Sequence, residues 1–183
     1  MTNKLIKKNA KSALKADRWM PVLVTLLYSL IVNYVPFFLS SSLSIGVFNY
    51  YTKSLKGENK RFEDMFSGFK LYGKALLTHF LVILYQLLWF MIPIAGPIIL
   101  IIKSYSYSLS LLILKDNPNL TANEAITKSR EMMKGYKWKK FALMFSFIWW
   151  NILDILTLGL LSILYLGPYK QFSIIAFYED LKK

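Results

Sequence analysis

Residues 75–102 of this chain read ALLTHFLVILYQLLWFMIPIAGPIILII and contain no Asp, Glu, Lys or Arg. About 20 apolar residues are enough for a helix to cross the hydrocarbon core of a bilayer. The stretch is therefore long enough for more than one crossing. Pro93, Gly96 and Pro97 lie inside it, and they predict two helices joined by a tight turn because proline and glycine interrupt a helix.

Two other apolar stretches are divided in the same way. Pro36 divides residues 19–52, and the run from Thr157 to Gly159 divides residues 141–178. The sequence therefore predicts an all-α, polytopic membrane protein with about six transmembrane helices in three hairpins. The first two helices have about 16 residues each, so half-spans are an open alternative for that hairpin. The six helices are predicted near residues 20–35, 37–52, 72–92, 97–114, 139–156 and 160–178.

The composition excludes several other classes of protein. The 183 residues include 23 Lys and Arg against 10 Asp and Glu, a formal charge of +13, yet 55% of them are hydrophobic. A disordered basic tail has low hydrophobicity, and about 25% of the residues of a soluble domain are charged, whereas the fraction here is 18%. The chain has no cysteine, which excludes a disulfide framework and a thiolate metal site.

The positions of the basic residues predict the side of the membrane that each connection faces. They occur in the N-terminal arm, in two long connections and in the tail, whereas the three predicted turns contain none. Short basic loops stay in the cytoplasm, so we expect a multi-pass protein of the bacterial cytoplasmic membrane with both termini cytoplasmic. The predicted topology therefore explains the positive charge, and we expect no nucleic-acid partner. Attraction to anionic lipids of the inner leaflet would accompany it.

An internal repeat appears when residue 64 is placed on residue 131, an offset of 67 positions. The segment Asp64–Lys70 then lies on Glu131–Lys137, and Lys103 lies on Lys170. We interpret residues 1–183 as one membrane domain, with an N-terminal arm and hairpin (1–55), repeat one (56–120) and repeat two (121–183). Each repeat would hold a surface helix and a two-span hairpin, so the two copies would lie parallel in the membrane.

Each predicted repeat begins with an amphipathic helix at the inner interface. Thr121 and Glu124 have the spacing of a capping box, and Gly135 suits the left-handed residue that closes a helix. Met132 and Met133 share the apolar face, and with Gly135 they mark a candidate interfacial helix that packs as a linker or docks lipid or a partner. The first copy has apolar residues at the same helical spacing, namely Phe62, Met65, Phe66 and Phe69.

Groups that carry out catalysis are sparse in the sequence. His79 is the only histidine, and there is no GxSxG, HExxH or phosphate-loop motif. We therefore predict a protein that is not an enzyme, with no cofactor and no metal site.

Three ionisable residues inside predicted spans form a candidate intramembrane polar site: Lys103, Lys170 and Asp154. A charge at the centre of a membrane helix costs about 2.5 to 3.5 kcal/mol on insertion scales, so these side chains are expected to face inward. If Asp154 pairs with one lysine, the remaining positive charge would suit an anionic head group or a small anion. In the alternative, both lysines extend to an interface and Asp154 caps a helix.

The stretch from Pro97 to Tyr178 contains a distinctive set of short motifs: Tyr105-Ser106-Tyr107, Ala122-Asn123-Glu124-Ala125, Ser129-Arg130, Met133-Lys134-Gly135, Ser146-Phe147, Trp150, Pro168-Tyr169 and Phe177-Tyr178. In these motifs the stretch resembles a family of small bacterial integral-membrane proteins, domain-of-unknown-function family 975. The resemblance implies a polytopic protein of the cytoplasmic membrane, and it implies neither an established activity nor catalytic residues.

Two functions therefore stay open at the level of sequence. The first is a non-enzymatic membrane protein that acts through interaction with a membrane protein partner, lipid or a membrane-active peptide, in an accessory or immunity-like role. The second is a small transporter, or a carrier of anionic lipid or solute, with its site between the repeats.

Overall fold

The chain is all-α in the computed structural model, which describes residues 2–17, 19–34, 37–92 and 96–182. Within these ranges every regular element is helical, which confirms the all-α part of the predicted fold class. The helices are α1 (Asn3–Ala16), α2 (Trp19–Tyr34), α3 (Phe37–Lys56), a 3₁₀ helix (Phe62–Leu71), α4 (Tyr72–Phe90), α5 (Gly96–Tyr107), α6 (Ser110–Asp116), α7 (Ala122–Met132), α8 (Lys137–Phe145), α9 (Ile148–Leu156), a π-helical turn (Ser162–Leu166) and α10 (Gly167–Leu181).

Each of the six segments predicted from the sequence is helical, and α1, the 3₁₀ helix and α7 lie outside them. The fourth segment is divided into α5 and α6, and the fifth into α8 and α9, whereas in the sixth the π-helical turn continues directly into α10. The turn predicted at residues 157–159 is present, with positive φ at Leu158 (52°) and Gly159 (84°). Pro36 and Pro93, on which the other two turns were predicted, lie outside the described residues.

In the described part of the chain, two helical segments are long and apolar enough to cross a membrane: Phe62–Phe90, which is the 3₁₀ helix with α4, and Gly96–Asp116, which is α5 with α6. The apolar helix Trp19–Ile31 is shorter. Helix length and hydropathy therefore support only these candidate crossings, and the arrangement of six crossings stays a prediction.

Helix α10 lies at the centre of the core. Phe172 and Phe177 are fully buried on it, and the ring of Tyr51 from α3 meets Phe172 edge to face, with 4.7 Å between ring centroids. Helix α1 packs along α10 with Ile6 and Ala10 fully buried, and its lysines occupy other faces. The basic N-terminal arm is therefore an amphipathic helix of the folded core.

Backbone contact without intervening side chains joins α3 to the 3₁₀ helix. A Cβ on Gly68 would lie 2.0 Å from the carbonyl oxygen of Ser42, and one on Gly46 would lie against the carbonyl of Met65. Since a 3₁₀ helix has about three residues per turn, residues three apart share a face. Met65 and Gly68 are accordingly buried while Phe66 is exposed, so the four apolar residues at 62–69 do not form one face as predicted.

Helix α7 has the ends that the sequence predicts. The Thr121 hydroxyl accepts from the Glu124 N–H, and the Glu124 carboxylate accepts from the Thr121 N–H at 2.7 Å. These backbone and hydroxyl hydrogen bonds from Thr121 hold the pKa of Glu124 below its ordinary value. Gly135 has a φ of 84°. Met133 is fully buried and Met132 half-buried, so this face of α7 packs against the protein.

Polar side chains from α7 and α8 contact the break between α5 and α6. The buried Ser129 hydroxyl donates to the carbonyl of Ser106 at 2.7 Å and accepts from the N–H of Leu109 at 3.2 Å. The amine of Lys140, also buried, donates to the side-chain hydroxyl of Ser108 at 2.5 Å. Because backbone groups released from a helix ladder need partners, the two contacts of Ser129 permit the interruption that the sequence did not predict.

The contact between α3 and the 3₁₀ helix predicts that Gly68→Ala destabilises the fold. The added methyl group would meet backbone atoms that side-chain rotation cannot move, and overpacking of this kind costs about 1 to 3 kcal/mol. The unfolding temperature of the purified protein would measure the effect. Gly73→Ala is the matched control, since nothing lies within 4 Å of its added Cβ. Equal unfolding temperatures for both variants would contradict the close contact.

Candidate functional site

Within the described residues, five of the ten acidic residues are paired with lysines near the ends of the helices. Lys53 contacts Asp64 at 2.7 Å, and Lys139 contacts Asp180 at 3.1 Å. Lys182 bridges Asp116 of α6 and Glu179 of α10, at 2.7 and 2.6 Å. Burial alone would lower the pKa of Lys182, but the hydrogen bonds to both carboxylates raise it above its ordinary value. We call this set of pairs the ionic end; it also includes Lys60–Asp17 and Lys56–Glu179.

A second group of basic residues is not neutralised. Lys103 of α5, Arg130 of α7, Lys134 and Lys137 line an open pocket of about 390 Å³. Its lining includes one acidic residue, Glu131. Among the ion pairs of the described residues, none involves any of the four basic side chains. The pocket therefore has an excess of positive charge.

An aromatic and apolar pocket of about 460 Å³ adjoins this basic pocket. Trp89 and Tyr85 of α4 line it with Tyr107 of α5, and Arg130 lines both pockets. The two pockets also share Thr127, so they form one continuous groove between α4, α5 and α7. We call it the groove; its aromatic part also includes Leu88, Ile92 and Asn123.

Direct contacts fix the junction between the two parts of the groove. The Trp89 indole N–H donates to the Tyr107 hydroxyl at 3.1 Å, and the Tyr85 hydroxyl donates to the Asn123 side-chain oxygen at 3.1 Å. The Lys103 amine lies 4.1 Å from the centroid of the Trp89 ring, in a cation–π contact. The charged end of Lys103 is thus held where the aromatic part meets the basic part.

The groove has the chemistry of a binding site for an anion with an apolar portion. Lysine and arginine donate charge-assisted hydrogen bonds to phosphate or carboxylate oxygens, and a guanidinium can donate two in parallel. The aromatic wall offers contact area to an apolar chain. In the described part of the chain no group of three or more His, Asp or Glu could hold a metal ion.

The three residues of the predicted intramembrane site have different partners. Lys103 lies in the groove, whereas the Lys170 amine donates to the side-chain oxygen of Asn151 at 2.6 Å. Asp154 accepts from the backbone N–H of Ser162 at 2.7 Å and also from the Ser162 hydroxyl, which closes the turn after α9. In the described residues no ion pair joins Asp154 to either lysine. A single site formed by all three stays a prediction without a contact that supports it.

Most of the groove was missed at the level of sequence. Arg130, Lys134 and Lys137 were interpreted only as charges that set topology. Thr127 and Arg130, three residues apart, lie on one side of α7, whereas Lys134 lies in the turn after α7 and Lys137 begins α8. Tyr85 and Trp89, four residues apart on α4, follow the same rule. The sequence does not reveal that α7 packs against α5. This contact brings the basic residues next to Tyr85 and Trp89.

The fold and the groove define an all-helical protein with two candidate membrane-crossing helices and an unneutralised basic site. Residues 93–183 match the family described as protein of unknown function (DUF975). Over this C-terminal half, the chain belongs to that family, as the motifs between Pro97 and Tyr178 predict. Nothing among the curated proteins or the solved structures matches the chain.

The separate partners of the two lysines predict that their substitutions act independently. Lys103→Leu and Lys170→Leu should change the free energy of unfolding by amounts that add to within about 0.5 kcal/mol in the double variant, as is usual for distant sites. Unfolding of the three variants and the parent protein would measure this. A coupling of about 1 kcal/mol or more would instead support one shared site.

Proposed function

We propose that the chain is a non-enzymatic, multi-pass protein of the bacterial cytoplasmic membrane. It acts through interaction with a membrane protein, lipid or membrane-active peptide, in an accessory or immunity-like role. In this proposal the three hairpins supply about six crossings, and both termini lie in the cytoplasm. The tandem repeats belong to the same proposal.

Helix α9 is the observation that carries the proposal. All nine of its residues are described, and none is buried, although the sequence IWWNILDIL is strongly apolar. Trp149 is 73% exposed and Ile155 is 76% exposed. Soluble proteins rarely leave such contiguous apolar surfaces in water, whereas acyl chains would cover this one.

The second line of support comes from the helix Phe62–Phe90. Only 11% of its most apolar window is buried inside the protein. The core helix of a soluble protein passes the same test of length and composition, but it would be mostly buried. Low burial therefore favours contact with lipid over a soluble core.

The ionic end supports the proposed orientation of the chain in the membrane. Lysines that the sequence assigns to the cytoplasmic connections meet acids there, with Lys60 on Asp17 and Lys139 on Asp180. The turn after α9 has the opposite character, since Leu158 is 93% exposed at its tip. A polar inner end and an apolar outer turn agree with the excess of basic residues on the cytoplasmic side.

A carrier of anionic lipid or solute is the second candidate function. The groove favours it, because its four basic side chains lack acidic partners among the described residues. Its position between α4, α5 and α7 also places it where the two predicted repeats meet.

The lack of cysteine makes the topology testable with single introduced cysteines. We expect Leu158→Cys to react with a membrane-impermeant maleimide in intact bacterial cells. Asn59→Cys, in a predicted cytoplasmic connection, should react only after the cells are permeabilised. The labelled fraction of each variant, in membranes that resist carbonate extraction, is the measurement.

Two outcomes would count against the proposal. Recovery of the folded chain in the soluble fraction would remove the membrane location. Labelling of Asn59→Cys, and not Leu158→Cys, in intact cells would reverse the proposed orientation. The unsubstituted protein, which has no thiol, is the control for background labelling.

A further inference from the structure

We propose that the groove binds one anionic phospholipid, with its phosphate between Lys103 and Arg130 and an acyl chain against Leu88 and Ile92. This inference rests on the proposed membrane function and names the ligand class of one site within it. It assigns a further role to basic side chains that form no ion pair among the described residues.

Charge complementarity is the first step. At the ionic end each lysine described above has a carboxylate within 3.5 Å, so its charge is compensated within the protein. In the groove Lys103, Arg130, Lys134 and Lys137 lie together, and like charges at short range repel. A bound phosphate diester would relieve that repulsion, because each of its oxygens accepts charge-assisted hydrogen bonds.

The second step is the continuity of the basic and apolar parts. Arg130 and Thr127 line both, so a ligand held by the basic side chains has a path to Leu88 and Ile92. Leu88 is exposed on α4, as are Leu84 and Leu87 beside it. Inorganic phosphate would occupy only the basic part, whereas a phospholipid would use both.

The third step is the link to the ionic end. Lys137 begins α8, two residues before Lys139, which pairs with Asp180 of the ionic end. The part of the groove at Lys137 therefore lies toward the predicted cytoplasmic interface, whereas Trp89 lies toward the turn predicted on the other side of the membrane. Basic pockets between membrane helices are suited to anionic head groups.

Binding can be measured with the full chain in nanodiscs of phosphatidylcholine that contain a titrated fraction of phosphatidylglycerol. Phosphatidylglycerol with brominated acyl chains should quench the fluorescence of Trp89, and the difference between the parent protein and Trp89→Phe isolates that signal. We expect saturable quenching by the brominated anionic lipid. Brominated phosphatidylcholine at the same fraction should give only the unsaturable background.

Substitutions test the basic part directly. Each charge removed by Lys103→Ala or Arg130→Ala should weaken apparent binding about fivefold, which corresponds to about 1 kcal/mol for each basic residue near an anionic surface. Lys103→Arg keeps the charge and should retain binding. Lys128→Ala is the matched control, since it removes an exposed lysine of α7 that does not line the groove.

Each remaining outcome has a definite meaning. Equal loss in Lys128→Ala and Arg130→Ala would reduce the effect to general surface charge and overturn the site. Equal quenching by both brominated lipids would do the same. Displacement of the lipid by millimolar inorganic phosphate would assign the groove to free phosphate instead. If the cysteine labelling is as expected, each of these results would overturn the lipid site and leave the proposed membrane function intact. The failure of the lipid site can thus be distinguished from the failure of the membrane proposal.

Discussion

The hydroxyl of Ser129 decides how the C-terminal half of the chain is arranged. It is fully buried, and it satisfies both a carbonyl and an N–H at the point where α5 ends and α6 begins. An unsatisfied backbone group in such a place costs about as much as a lost hydrogen bond, so the break and the docking of α7 stabilise each other. The groove follows from this contact, because α7 brings Arg130 to the level of Trp89 and Lys103.

The basic residues fall into two groups that composition alone does not separate: those of the ionic end and those of the groove. Lysines at the ionic end join distant parts of the chain, as Lys182 does between α6 and α10, so they contribute to the architecture. Among the described residues, the basic side chains of the groove form no ion pair. In our proposal, the net charge of +13 is thus partly structural and partly a means of binding an anion.

The positions of the helices could be predicted well from the sequence, because proline, glycine and charge-free runs act locally. The capping box at Thr121 and the positive φ of Gly135 could be predicted for the same reason. The breaks after Tyr107 and Phe145 could not, since they depend on partners far along the chain. The candidate site was only partly predicted: Lys103 was selected for its cost in a membrane, but its neighbours come from another helix. Gly68 and Gly135, matched in the predicted repeat, serve different purposes, one in a close helix crossing and the other in a positive-φ turn.

The packing of α1 on α10 has a consequence for biosynthesis. The ribosome makes α1 before α8 and α10, and the Asn3 side chain in the end donates to the carbonyl of Lys139 in α8, 136 residues away. Until α10 is made, Ile6, Ala10 and Leu14 have no access to the surface that buries them. Contacts of such long sequence separation form late and slowly. During synthesis the apolar face of α1 is therefore uncovered, and under the proposed membrane location the lipid surface would cover it until α10 is available.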